Sequence, residues 1–363
     1  MRTLSLRKRH RVATSSIFLI MLTMVALMVA MAGCDSPSSG VQVRDWHDLN
    51  EVRDNLEGEI LLMNDLDSTT AGYTELASPT ANEGQGWQPI GVWPDPFTGS
   101  FDGQGFEIRD LFIDRPGDTN VGLFSFVNEG AIVTGVAVVD ADVTGDLYVG
   151  GLAGHSRGNL SNCHSTGSVA GDTYVGGLVG ENGGILSHSY STASVSGSFE
   201  VGGLVGQNHA TVRESYSTGS ATGDSYVGGL VGWNKEGTLS NSYSSASADG
   251  ELLVGGLAGS NRAIISNCYS TGTVTGLEDV GGLVGRNYEG TVSDSFWDIE
   301  TSAQAGSDGG TGNTTAAIQD IATFSGAEWD IIAVAGSGMR DASYIWNIVD
   351  DETYPFLSWQ PAA

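Results

Sequence analysis

Five histidines, two neighbouring carboxylates, a set of recurrent acidic residues and a row of tyrosines are where this chain could do chemistry. His47, His155, His164, His188 and His209 lie beyond residue 33. Their spacing is not that of metal ligands, and no His-Glu-x-x-His occurs. Asp298 and Glu300 could share one strand face as an acid–base pair, as could any two solvated carboxylates so placed. Asp146, Asp172 and Asp224, with Glu251 near the same place, could hold Ca²⁺ loosely if stacked. A solvated acidic edge is the simpler reading. No acid, base and nucleophile converge, so we expect no catalytic residue, no metal and no cofactor. The stronger candidate is a binding stripe. Tyr190, Tyr216, Tyr243 and Tyr269 recur at steps of 26, 27 and 26 residues, with Thr192, Thr218 and Thr271 two places on. Aromatic rings with polar tips beside hydroxyls suit contact with sugars or protein.

What positions these residues is a repeat. Val-Gly-Gly-Leu begins at Val149, Val175, Val201, Val227, Val254 and Val280, at steps of 26, 26, 26, 27 and 26. A degenerate copy, Val121-Gly122-Leu123-Phe124, precedes them. The segments are short, β-branched and punctuated by glycine, with no helical period. The expected fold is all-β: a parallel β-helix of about 6–7 coils, each of two or three short strands and 26 residues, with small α/β caps at both ends.

Like residues should then stack in columns. Leu152, Leu178, Leu204, Leu230, Leu257 and Leu283 make an interior column. Asn182, Asn208, Asn234, Asn261 and Asn287 make an amide column, with His155 in the first copy. The glycines are expected to supply corners of positive φ and close backbone approach. Alternation puts Cys163, Ser165 and Val169 on one face, and His164, Thr166 and Ser168 on the other. If the valine face is interior, the tyrosines face outward; a corner that shifts the parity would turn them into a core stack. Cys163 and Cys268 occupy one column four coils apart, about 19 Å at ~4.8 Å per layer. Disulfide formation needs about 7 Å, so free buried thiols are expected.

The first 33 residues read as a signal peptide. Arg2, Arg7, Lys8, Arg9 and Arg11 precede an apolar run from Ile17 to Ala32. Met31-Ala32-Gly33-Cys34 resembles a bacterial lipobox, which implies cleavage before Cys34, lipidation there, and a linker over 34–40. The net charge of −28 would fall to about −33 on cleavage, because the five cations leave and no carboxylate does. Nucleic acid is therefore a poor partner.

The recurrent Gly177-Leu178-Val179-Gly180 and Gly203-Leu204-Val205-Gly206, in phase with the asparagine and the Tyr-Ser-Thr-Gly segment, resemble the GLUG-motif family over roughly residues 121–297. The resemblance implies an extracellular bacterial protein. Such repeats accompany adhesin-like proteins and some large immunoglobulin-A-cleaving metallopeptidases. It transfers no catalytic residue.

The flanks divide the chain into a capping region at 41–98, repeats at 99–297 and a second cap at 298–363. A helix is expected near 45–55, a strand at 59–63, and a helix from Thr314 or Thr315 to about Phe324. Trp87 and Trp93 could plug the top of the coil, and Trp329, Trp346 and Trp359 the bottom. The function expected is non-enzymatic: a lipid-anchored protein of the bacterial envelope that presents a β-helix for adhesion to a surface glycan or protein. A structural spacer without ligand is the alternative. A polysaccharide-degrading β-helix or ice binding through the hydroxyl rows ranks lower. The repeats offer only Arg157, Arg213, Lys235, Arg262 and Arg286 as basic groups for the former.

Overall fold

A computed structural model describes residues 40–361. The expected signal peptide, Cys34 and the linker up to residue 39 lie outside them. Residues from Val41 onward form a parallel β-solenoid. Each coil has four faces rather than the two or three strands expected. In one coil these are Thr173–Gly176, Val179–Asn182, Ile185–Ser187, and the split pair Tyr190–Ser191 and Ser194–Ser196. Stacking gives two seven-stranded sheets, a ten-stranded sheet and a fourteen-stranded sheet. Register is strict: Val175 pairs with Val201, Val201 with Val227, and Val227 with Val254.

The repeat phrase follows from this packing. Val175 and Leu178 point inward and are fully buried, as are their equivalents Val201, Leu204, Val227 and Leu230. Each such side chain contributes roughly 1.5–3 kcal/mol on burial. Between them, a Cβ on Gly176 would lie 2.0 Å from the Val179 carbonyl oxygen, and one on Gly177 would lie 2.3 Å from that of Gly203. These glycines are there for space, not for positive φ. The positive-φ corners go instead to Tyr148, Tyr174, Glu200, Tyr226, Leu253 and Asp279, and to Asn162, His188, Glu214, Asn241, Asn267 and Asp294. Left-handed backbone at a non-glycine residue is unfavourable, and coil stacking on both sides holds it there.

The asparagine column is a hydrogen-bonded ladder. Each amide Nδ2 donates to the next Oδ1, at 2.8 Å (Asn182 to Asn208), 2.9 Å, 2.8 Å and 2.8 Å (Asn261 to Asn287). Ser156 is the member from the first copy, pairing with Asn182. His155 is one place off that column and faces outward beside Glu181. Cys163 and Cys268 are buried free thiols whose pKa is pushed up to about 12, first by desolvation.

The flanks do more than cap. Val41–Val43 and Glu59–Leu62 already belong to the ten-stranded sheet, so stacking begins before residue 99. The helix Trp46–Glu51 starts at Asp45, whose side chain accepts from the Asp48 amide at 2.9 Å, and a 3₁₀ turn at Val52–Asp54 continues it. Trp46 and Trp87 are fully buried and pack 5.7 Å apart near this end; Trp93 does not join them and stays 71% exposed. At the other end, Thr311–Asn313 adds a strand beside Phe296–Asp298. The expected helix to Phe324 is broken into Thr315–Ile318 and Ile321–Ser325, the second capped by Asp320. The tryptophans beyond do not plug the coil. Trp329, Trp346 and Trp359 lie against the tyrosine face, together with a small sheet of Ile331–Ala333, Trp346–Ile348 and Phe356–Leu357.

Candidate binding surface

The tyrosines leave the coil interior, because Ser191, Ser217, Ser244 and Ser270 take the inward positions and are fully buried. In-register parallel pairing brings identical rings one above another at the layer spacing. His164, Tyr190, Tyr216, Tyr243 and Tyr269 stack at 4.6, 4.8, 5.0 and 4.9 Å, with planes within 6° of parallel. They do not form a solvent-facing stripe. Residues 314–361 cover them as a strap, leaving Tyr216, Tyr243 and Tyr269 only 7%, 8% and 2% exposed. Trp359 packs 5.8 Å from Tyr216, and Trp346 lies 5.8 Å from Tyr269. The Tyr269 hydroxyl donates to the Pro355 carbonyl, and the Gln360 amide reaches the Tyr243 hydroxyl at 2.6 Å. Desolvation raises the Tyr216 pKa to about 12 and that of Tyr269 well above its ordinary value. Thr192 and Thr218 remain exposed and Thr271 half-buried; Tyr190, at the edge of the strap, is half-buried, and the rings beside the other two threonines are core. Burying a flat row of rings is favourable, and the Trp-rich tail removes this one from water.

The other expected candidates are also absorbed by the fold. Asp298 is fully buried; its carboxylate accepts from the amides of Glu300 and Thr301, from Thr315 Oγ1 at 2.7 Å and from the Tyr354 hydroxyl at 2.7 Å. Glu300 accepts from the Thr315 amide at 2.9 Å. Both carboxylates therefore anchor the strap. Among the described residues, no group of three or more His, Cys, Asp or Glu is placed to hold a metal ion. Sequence reasoning misses one apparent signature: Gly154-His155-Ser156-Arg157-Gly158 has the spacing of a nucleophile elbow. It is not one. Ser156 ends the strand Ala153–Ser156, is fully buried, and is followed by no helix.

A second aromatic row lies on the outer side of the coils without a covering strap: Tyr148, Tyr174, Tyr226 and Trp233 are half-buried, while Phe126, Gln207 and Glu200 among them are buried by their neighbours. Along the strands that end in asparagine, one outward column changes residue at every coil: Phe126, His155, Glu181, Gln207, Trp233, Ser260, Arg286. Beside it runs Asn120, Tyr148, Tyr174, Glu200, Tyr226. The columns touch: Tyr148 and His155 rings are 6.0 Å apart, and Tyr226 and Trp233 are 5.6 Å apart. Tyr148 and Tyr174 stack at 4.6 Å. Polar side chains link across coils. His155 and His209 both face Glu181, at 3.7 and 3.9 Å, while Gln207 joins His209 to Glu200. Desolvation raises Glu200 to about 7 and lowers His155 to about 4.

At the N-terminal end of this double column is a cup of about 230 Å³. Phe126 is its floor. Trp93 stands 6.2 Å away, the His155 ring meets Phe126 edge-on at 4.5 Å, and the Arg157 guanidinium sits 5.6 Å over it. Asn120 completes the wall and also lines an adjoining cleft of about 370 Å³ that contains Gln88, Arg115 and Asp118. The sequence signal for this site is irregularity: Phe126 and Asn120 belong to the degenerate copy, and Trp93 to the segment before it.

This architecture defines a parallel β-solenoid repeat protein. Its coils carry the GLUG motif, matched at residues 145–170 and 250–275. The chain is 34% identical over 149 residues to "Halomucin" of Haloquadratum walsbyi, covering 40% of this chain and 2% of that protein. It is 31% identical over 119 residues to a "Putative Gly-rich membrane protein" of Evansella cellulosilytica, covering 31% of this chain and 13% of the relative. The chain thus spans a small part of either relative's length. A solved structure from Bacteroides ovatus, described as a "putative immunoglobulin A1 protease", superposes with a TM-score of 0.55 at 16% identity, covering 90% of this chain and 94% of that one. That likeness concerns the fold.

Proposed function

We propose that this is an exported, non-enzymatic protein of the cell envelope, lipid-anchored at Cys34, whose solenoid presents the variable double column and its cup for adhesion to a surface glycan or protein. The observation that carries this reading is the contrast between columns. Stacking demands identity in the interior and in the tyrosine ladder, whereas the outward positions at Phe126 to Trp233 differ from coil to coil and leave Trp93 71% exposed. A large exposed aromatic beside polar groups that converge on one hollow is the ordinary form of a recognition site. The names of the relatives, "Halomucin" and "Putative Gly-rich membrane protein", fit an envelope location.

The test is adhesion of cells, or of beads, bearing the full chain to immobilised glycans and matrix proteins. Trp93→Ala should reduce retention at least tenfold, and Tyr148→Ala should reduce it less. Unchanged retention in Trp93→Ala would remove the cup as the site. A Cys34→Ser chain released from the membrane fraction would support the anchor. The spacer reading keeps one supporting observation: the most regular aromatic feature, the tyrosine ladder, is spent entirely on packing. It predicts no retention by any surface.

A further inference from the structure

We propose that the cup selects a sugar ring that carries a carboxylate, with the ring on the Phe126–Trp93 aromatics and the acid on Arg157. This rests on the reading of the cup as a binding site, and it adds the ligand's chemistry.

Size comes first. At about 230 Å³ the cup falls below the ~300–1,000 Å³ of a pocket for a drug-sized ligand, so it takes one ring rather than a chain. The adjoining cleft, about 370 Å³ and sharing Asn120, has room for the neighbouring residue of an oligomer. The chemistry of the walls comes next. Trp93, 71% exposed, offers the flat apolar face, backed by the buried Phe126 ring and the half-buried His155 imidazole, while Asn120 offers an amide donor and acceptor.

Charge decides between a neutral and an acidic ring. The chain carries a net charge of −28, so most of its surface repels anions. The cup is an exception. Arg157 is exposed, and among the described residues no carboxylate lies within 4 Å of its guanidinium. Arg115, in the cleft next door, is occupied: it pairs with Asp118 at 3.3 Å and donates to the Trp87 carbonyl and Gln85. That pair neutralises Asp118; the other carboxylate beside the cup, Glu181, lies behind His155 at 3.7 Å and makes no ion pair with Arg157. His155 is held neutral by burial, so it reads polar groups and adds no charge. One available guanidinium beside aromatic faces matches a single carboxylate bidentately. A dense polyanion would meet repulsion from the rest of the molecule; an acid ring in an otherwise neutral chain would not. An acidic peptide could satisfy Arg157 but would leave the ring-sized floor poorly filled.

Calorimetric titration of the full chain with matched pairs tests this: trigalacturonate against its methyl ester, and sialyllactose against lactose. At least one acid should bind ten times or more tighter than its neutral partner. Arg157→Gln, at an exposed position, should erase that preference and leave weak binding of both; Trp93→Ala should lose both. Equal affinity for acid and neutral partners would overturn the acid inference and leave the cup a binding site. So would preference for a poly-glutamate peptide, or failure of both acids to bind while Trp93→Ala still abolishes adhesion. If Trp93→Ala leaves adhesion and binding unchanged, the underlying reading of the cup falls with it.

Discussion

The molecule has two aromatic surfaces, and they have opposite fates. The tyrosine ladder is periodic, with rings stacked at 4.6–5.0 Å, and a strap of tryptophans seals it. The Trp93–Phe126 cup is irregular and built partly outside the repeat; its floor, Phe126, is buried, but its rim, Trp93, stays open at 71% exposed. Exact recurrence at one coil position reflects the demands of stacking, which apply equally to every layer. Recognition has no such demand, and shows as change from coil to coil. In a solenoid the repeat is therefore a guide to what holds the structure, and departures from it are a guide to what the structure is for.

Four perturbations sharpen or break this contrast. The largest effect on stability is expected on the sealed side. Trp346→Ala should cost about 3–5 kcal/mol locally, as for a buried aromatic emptied to alanine. Because solenoid stability is distributed by neighbouring units, the loss should appear as fast hydrogen exchange over 314–361 with the coils at 147–287 still protected. Simultaneous unfolding of both would mean the strap is integral to the coils. Next is the amide ladder. Asn208→Ala removes the partner of Asn182 Nδ2 and of Asn234 Oδ1. Buried unpaired groups cost about 1–3 kcal/mol each; Asn182 Nδ2 keeps the Gly184 and Thr211 carbonyls, so a loss of about 2–4 kcal/mol rather than the full sum is expected in denaturant titration.

The third effect belongs to the open side and depends on pH. Glu200, raised from 4.5 to about 7, contributes stability that is complete below pH 4.5 and is lost as pH rises through 7, on the order of 2–3 kcal/mol. His155, lowered from 6.5 to about 4, acts in the opposite sense: its contribution is complete above pH 6.5 and is lost as pH falls toward 4. The two slopes oppose each other near pH 5–6. Glu200→Gln should therefore retain stability up to pH 7 and expose the histidine's acid loss, read as melting temperature against pH. A variant with the wild-type profile would show that Glu200 ionises freely. The smallest effect on stability is that of Trp93→Ala, below about 0.5 kcal/mol for an exposed site. It should nevertheless have the largest effect on adhesion.

Much of the architecture was legible in the sequence. Val175, Leu178 and Asn182 recur where a stacked coil needs an interior side chain or an amide rung, and the 26-residue step follows. The fate of Tyr216 and Tyr243 was not legible. Alternation fixes that they point away from Ser217 and Ser244, but their cover comes from Trp346 and Trp359, more than a hundred residues later. No local pattern announces that contact. The glycine corners misled for a similar reason: glycine was demanded by a carbonyl of the neighbouring coil, and the left-handed positions fell to Tyr174 and His188. Nothing in the sequence marks the cup, since Asn120 and Phe126 look like a decayed repeat, and Trp93 like part of a plug.

Hydroxyl-radical footprinting of the folded full chain tests the division between the two surfaces most directly. Trp93 should be oxidised rapidly, while Tyr216, Tyr243 and Tyr269 remain unmodified until the strap is released by Trp346→Ala. Tyrosines that label as fast as Trp93 in the intact protein would contradict the account, and would return the ladder to the solvent as the binding surface.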